Sequence, residues 1–173
     1  MIKLDGVLPF AEGGNRMCFV HPHNPNRCLK VIHPGILTKI RRSKPWYKQL
    51  RSTKSFDDNL REQNAYNQKA LRSDNPEIWN HLAKWYGMVE TSIGIASETE
   101  LIRNNGDIAE TLEEYLFRDG LTNEIKNAIE EFHTWLRDYL VLTKNLIPHN
   151  LVLTSQEEKL KIKIINGLGS QAF

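Results

Sequence analysis

Three groups of residues have types and spacings suited to chemistry. In Ala11-Glu-Gly-Gly-Asn-Arg16, Gly13 and Gly14 lack the Cβ that would hold an anion away from the backbone, so their amides can lie against phosphate oxygens. An ordinary hairpin turn has the same composition. Lys30 stands between Cys28, Leu29 and Val31, and an ammonium on a half-buried strand needs a counter-charge. Glu62 is the natural candidate, and a solvated outer lysine is the plainer alternative. Asn150 in Pro148-His-Asn150 and Asn166 in Asn166-Gly167 bring two amide oxygens to one end of a hairpin. Hard cations such as Mg²⁺ or Mn²⁺ take oxygen ligands, while Asn-Gly is also a plain turn signal.

These residues need a frame. Leu4 to Phe10, Met17-Cys-Phe-Val20 and Arg27-Cys-Leu-Lys-Val-Ile32 read as a three-strand antiparallel meander. Trp85 to Thr91 and Gly94 to Ile102 read as two more strands. Asp57-Asp58-Asn59 caps a helix running to about Arg72, which Asn75-Pro76 ends. Thr111-Leu-Glu-Glu114 fits a capping box opening a short helix, and Ile125, Ile129, Phe132, Leu136 and Leu140 mark one apolar face of a long helix. Leu160, Ile162 and Ile164 alternate with Lys161 and Lys163, and pair with Asn150 to Thr154 as a hairpin around the turn at 155–158. The order is that of an α+β fold, a mainly antiparallel sheet lobe followed by a helical lobe.

Composition limits the function classes. The chain has 173 residues, 40% hydrophobic and 25% charged, with a mean hydropathy of -0.50, enough apolar content for one globular domain and too little for an integral membrane protein. The opening residues lack the apolar stretch of a signal peptide, so a cytoplasmic location and no membrane partner are expected. A net charge of +2 neither demands nor excludes an acidic partner. The segment Lys39 to Lys54 is more polarised: Lys39, Arg41, Arg42, Lys44, Lys48, Arg51 and Lys54 surround Trp46-Tyr47 with no acid among them. It suits an acidic partner or nucleic acid, or else is a solvated loop. Cys18, His21, His23 and Cys28 supply zinc-ligand types at a spacing unlike a familiar finger. His133 and His149 read as ordinary residues of a helix and a loop.

In order and spacing, the pieces resemble the protein-kinase fold: glycine loop, strand lysine, helix glutamate, catalytic loop, hairpin, metal loop. The likeness is closer to the bacterial PhoP regulatory network YrbL family of small kinase-like proteins. It is carried by Gly13-x-x-Arg16-x-Cys18, His21-Pro22, Arg27-Cys-x-Lys30, Arg61-Glu62-x-x-x-Tyr66, Tyr86-Gly-x-Val-Glu-Thr91, Thr111-Leu-Glu-Glu-Tyr115 and Pro148-x-Asn150. The resemblance implies a minimal protein-kinase-like bilobal fold over residues 1–173. Its N-lobe, 1–102, would hold five antiparallel strands and one helix, and 103–173 would form a truncated helical C-lobe.

It further implies that ATP or ADP lies between the lobes. Gly13 and Gly14 would cover its phosphates, with Arg16 at a third glycine position. Lys30 would hold the phosphates and Glu62 would orient Lys30. The hinge from Glu98 through Glu100 to Leu101 would meet the adenine, and Asn150 would be the metal-binding asparagine.

Two departures qualify this. Asn145 stands where the acidic base belongs, and Asn166 where the metal loop supplies a carboxylate. An amide carries no charge and cannot take the substrate hydroxyl's proton, so weak Mg²⁺ or Mn²⁺ binding and little phosphoryl transfer are expected. Deamidation of Asn166, which precedes a glycine, would restore that carboxylate. The sequence given ends at Phe173, shortly past the metal loop, which disfavours a conventional Ser/Thr protein kinase. The first expectation is a pseudokinase that binds nucleotide and acts by regulation through a protein partner. Two alternatives stand beside it: an active ATP-dependent phosphotransferase using Lys30, Asn145, Asn150 and Asn166, and a binder of acidic partners through Lys39 to Lys54.

Overall fold

The computed structural model describes residues 1–156 and 159–169. The turn expected at 155–158 has residues 157 and 158 outside the described residues, as is the terminal Phe173. Contacts divide the chain into two compact units, one of 1–64 with 85–100 and the other of 65–84 with 101–173.

The first unit is built on a five-stranded antiparallel sheet. In chain order its strands are β1 (Ala11–Glu12), β2 (Arg16–His21), β3 (Asn24–Ile32), β4 (Trp85–Thr91) and β5 (Gly94–Glu100), arranged β1-β2-β3-β5-β4. Alternation sorts its side chains. Phe19, Leu29, Val31 and Ala96 point to one face and bury there with Leu4, flanked by Ile2, Met17, Val89 and Ile93. The opposite face of β2 and β3 carries Arg16, Cys18, Cys28 and Lys30.

The strand expected over Leu4 to Phe10 is absent. Gly6, at φ +75°, turns the chain there, with Val7 N–H donating to the Leu4 carbonyl at 3.1 Å. Leu4 is instead a plug in the core, tied by its N–H to Ser92 Oγ at 3.0 Å, and pairing resumes only at Ala11, opposite Cys18. A buried apolar stretch reads like a strand until its turn is recognised.

One helix was expected beside this sheet and three are present: α1 (Ile36–Ser43), α2 (Trp46–Gln49) and α3 (Asp58–Tyr66). The first two take up the basic segment otherwise readable as a loop. Ile36, Leu37 and Ile40 share one side of α1, and Arg41 and Arg42 in its last turn complement the helix dipole. Neither helix has a buried residue. Asp57 Oδ1 caps α3, accepting from the N–H groups of Asn59 at 2.8 Å and Leu60 at 3.2 Å. The helix stops at Tyr66 and gives way to a 3-10 turn over Lys69–Arg72, short of the single run to Arg72.

The second unit contains two short strands, β6 (Arg103–Asn104) and β7 (Asp107–Ile108), two helices, α4 (Leu112–Asp119) and α5 (Asn123–Tyr139), and the hairpin β8 (Leu151–Gln156) with β9 (Lys159–Ile164). The capping box of α4 forms as expected, with Thr111 Oγ1 accepting from Glu114 N–H and the Glu114 carboxylate accepting from Thr111 N–H. In α5 the buried line is Ile125, Ala128, Phe132 and Trp135. Leu140, expected on that face, lies exposed past the helix end in the left-handed region at φ 53°.

Residues 65–84 belong to this unit, although a boundary at residue 102 would assign them to the sheet. The reason is a set of long-range bonds. Tyr66 Oη donates to the Ala83 carbonyl at 2.8 Å, Ala83 N–H donates to Ile164, and Trp135 Nε1 donates to the Glu77 carbonyl at 3.3 Å. His81 lies against Phe132 and Trp135 with Nδ1 2.7 Å from the Ile162 carbonyl. Burial holds its imidazole below the ordinary value against the opposing pull of that carbonyl.

Candidate functional site

In the first unit the chemistry gathers on Glu62, midway along α3. Lys30 Nζ donates to Glu62 Oε1 at 2.6 Å, Arg16 Nη1 donates to Oε2 at 2.9 Å, and Ser97 Oγ donates to Oε2 at 2.8 Å. All four residues are buried. Register explains the convergence: Lys30 pairs across to both Cys18 and Ser97, on the strands to either side of it. Asn59, one turn earlier on α3, fixes the helix to the sheet. Its Nδ2 donates to the carbonyls of Lys30 at 2.9 Å and Ile95 at 3.3 Å, while its Oδ1 accepts from Arg16 at 3.2 Å.

Burial alone would raise the Glu62 carboxyl, but the charges of Lys30 and Arg16, with hydrogen bonds from Lys30 and Ser97, outweigh it and hold the group below the usual carboxylate range. Glu62 is therefore an anion at neutral pH, holding Lys30 at a fixed point on β3, the strand paired with the one that leaves the turn after β1.

That turn is Gly13-Gly14-Asn15. Gly13 N–H donates to the Arg16 carbonyl at 2.8 Å, and Asn15 Nδ2 donates to Asp58 Oδ2 at 2.7 Å, tying the loop to α3. Neither glycine has a positive φ. A Cβ at Gly13 would meet only the Arg16 carbonyl oxygen, at an ordinary 3.8 Å, and a Cβ at Gly14 nothing within 4 Å. The fold does not require glycine at either position. Arg16, expected at a third glycine position, lies buried on Glu62, and its role as the second cation on that carboxylate was not anticipated. Ser97 and Asn59 were also missed, because cross-strand register and helix phase choose them.

The residues expected to form a hinge lie at the end of β5 and just past it. Glu98 is buried, accepting from Arg27 Nη1 at 2.8 Å, with His21 Nε2 3.8 Å away. The Arg27 guanidinium also stacks over Tyr86, 4.1 Å from its ring centroid. Glu100 pairs in register with Arg27, and Leu101 is buried.

The second unit brings the three asparagines together. Asn150 is buried, and its Nδ2 donates to the Asn145 carbonyl at 2.8 Å. The Gly167 carbonyl accepts from the N–H groups of Lys144 at 2.7 Å and Asn145 at 3.1 Å, and Ile165 N–H donates to the Asn150 carbonyl at 3.0 Å. Asn166 Oδ1 accepts from Gly167 N–H at 2.9 Å. The two loops are thus one backbone-bonded cluster.

As donors for a divalent cation these residues fit poorly. All three side chains are neutral, the Asn166 oxygen is engaged by its own loop, and no group of three or more His, Cys, Asp or Glu side chains is gathered for a metal among the described residues. The zinc set is also dispersed: His21 Nδ1 accepts from His23 N–H at 3.0 Å, while Cys18 and Cys28 are turned to each other. His133 and His149 are exposed, the latter 3.3 Å from Glu113. No helix among the described residues is long and apolar enough to cross a membrane.

The family model for PhoP regulatory network protein YrbL matches residues 2–173. The chain belongs to this family. YrbL of Escherichia coli (strain K12) and YrbL of Shigella flexneri are each 23% identical over 172 residues, covering 95% of this chain and 71% of theirs. Among solved structures, the PknI kinase domain of Mycobacterium tuberculosis is similar at a TM-score of 0.49 and 16% identity, over 95% of this chain. The present chain spans 60% of that one.

Proposed function

We propose that this YrbL-family chain is a kinase-like regulatory protein that binds ATP or ADP through Lys30 and the Gly13-Gly14 turn, transfers phosphoryl groups poorly or not at all, and acts through a protein partner. The observation that carries this reading is the buried Lys30–Glu62 pair at 2.6 Å. A strand ammonium oriented by a helix carboxylate, in the same unit as a turn whose glycines the fold does not need, is suited to two adjacent phosphates. The absence of a carboxylate among Asn145, Asn150 and Asn166 argues against turnover, since loss of a general base costs about 10²–10⁴ in rate. The alternative of an active phosphotransferase would require these amides to serve as they stand.

ATP and ADP are expected to raise the melting temperature, nearly equally with and without Mg²⁺, because the amide cluster offers a cation little. Gly14→Ala is expected to leave the melting temperature of the nucleotide-free protein unchanged and to reduce the nucleotide-induced rise by more than half. No nucleotide-induced rise in the parent protein would defeat the reading, and steady ATP hydrolysis would favour the active phosphotransferase.

A second reading rests on α1 and α2. Seven cations between residues 39 and 54 meet no acid in that span, and Trp46, Tyr47 and Leu50 are exposed, Trp46 by 76%. Cations with open aromatic faces suit a polyanion such as single-stranded nucleic acid. An affinity for a single-stranded oligonucleotide that falls roughly a thousand-fold between about 50 and 200 mM salt is the expected result. Binding insensitive to salt would remove this reading.

A further inference from the structure

The face of the sheet that carries Lys30 also carries two thiols that the nucleotide reading does not use. Cys18 lies on β2 opposite Lys30, and Cys28 lies on β3 opposite Val20, so the cysteines are diagonal neighbours on one face of an antiparallel pair. Cys18 is half-buried and Cys28 is buried. The two thiols are close enough to share a hydrogen bond, and both feel the charges of Lys30 and Glu62, with Arg16 acting on Cys18.

The environment makes the two sulfurs unequal. The hydrogen bond from Cys28, and then the charges of Lys30 and Arg16, lower the Cys18 thiol to about 6, against burial and the Glu62 charge. The same hydrogen bond together with burial pushes Cys28 well up. Cys18 is thus the more acidic of the two thiols and the one partly open to solvent, while its partner is buried. That division of labour, a nucleophile with a resolving thiol in contact, is what peroxide chemistry needs.

We propose that Cys18 and Cys28 are a peroxide-oxidisable dithiol, closing to a disulfide across β2 and β3 beside the Lys30–Glu62 pair. The Cys18 thiolate attacks one oxygen of hydrogen peroxide. The O–O bond breaks, hydroxide leaves and is protonated to water, and the sulfur becomes a sulfenic acid. The Cys28 thiol gives up its proton and attacks the Cys18 sulfur, the S–O bond breaks, and the second oxygen leaves as water. Peroxide gains two electrons and the thiols lose two. The proposal does not rest on nucleotide binding.

The test treats the reduced full chain with hydrogen peroxide, quenches with an alkylating agent, and reads intact mass and a non-reducing peptide map. In the parent protein, alkylatable thiols are expected to fall from two to none, with a mass loss of two hydrogens, a cross-link between the Cys18 and Cys28 peptides, and full reversal by dithiothreitol. In Cys28→Ser, confirmed as folded by circular dichroism, Cys18 is expected to persist as a sulfenic acid that dimedone captures. In Cys18→Ser, Cys28 is expected to remain alkylatable. The map of the parent protein decides without the variants. Two thiols still alkylatable after peroxide, an oxygen gained at Cys18 without a cross-link, or a disulfide only between two chains would each overturn the proposal.

Discussion

Glu62→Ala is expected to destabilise the protein by about 3–5 kcal/mol, the cost typical of removing one side of a buried ionic group. The carboxylate is shared by Lys30, Arg16 and Ser97, so its loss leaves two buried cations without the anion they both face. Lys30→Met should cost less, on the order of 1–3 kcal/mol, because Oε1 loses its donor while Arg16 and Ser97 still donate to Oε2, Arg16 remains as a counter-charge, and the methionine fills much of the lysine volume. Urea unfolding at neutral pH measures both. The ranking matters more than either value: a Lys30→Met loss equal to or above that of Glu62→Ala would contradict a carboxylate with three donors.

The pH dependence has a definite sign. The folded state holds Glu62 below its ordinary pKa, so the unfolded chain takes up this proton first as the solution is acidified. The stabilisation is complete above the ordinary carboxylate value of about 4.3 and is lost as pH falls through the depressed folded value. The gap between the parent protein and Glu62→Ala should therefore be constant near neutrality and narrow in acid.

How much of this was legible in the sequence differs from element to element. Lys30 and Glu62 could be matched because an ammonium inside Cys28-Leu-Lys-Val31 demands an acid, and a capped helix supplies one. Arg16 could not, since a cation at a turn-strand junction looks equally at home in solvent. Only its alternation with Met17 and Phe19, which face the core, places it inward with Cys18. Ser97 and Asn59 are chosen by β3–β5 register and by the phase of α3, neither fixed by local composition. The basic segment reads as a loop because its seven cations dominate the composition; the apolar side of α1, Ile36, Leu37 and Ile40, lies mostly ahead of that run, and neither α1 nor α2 buries a residue. Residues 65–84 join the second unit through bonds to Ile162 and Ile164, some 80 positions away along the chain, which no local pattern reveals.

The asparagine cluster shows the same limit from the other side. Asn145, Asn150 and Asn166 were all picked out, yet what binds their loops is Gly167. Its φ of +89° is a conformation side-chain-bearing residues rarely adopt, and a Cβ there would strike the Asn145 backbone carbonyl and approach Asn150 Nδ2 to 3.2 Å. The obstructing carbonyl cannot step aside, because Asn145 N–H is bonded to the Gly167 carbonyl and the Asn145 oxygen accepts from Asn150. Gly167→Ala is expected to cost on the order of 3 kcal/mol or more, combining backbone strain with a contact that must be relieved by breaking one of these bonds. Gly35→Ala separates the two causes, since Gly35 also has a positive φ, +75°, but nothing within 4 Å of its Cβ position. It should cost only about 1 kcal/mol. Equal losses in the two variants, read from urea midpoints, would mean that the loops of Asn145 and Gly167 do not meet as described. A larger loss in Gly167→Ala, with amide exchange accelerated at Lys144, Asn145 and Ile165, would locate the damage in the bonds that hold the three asparagines together.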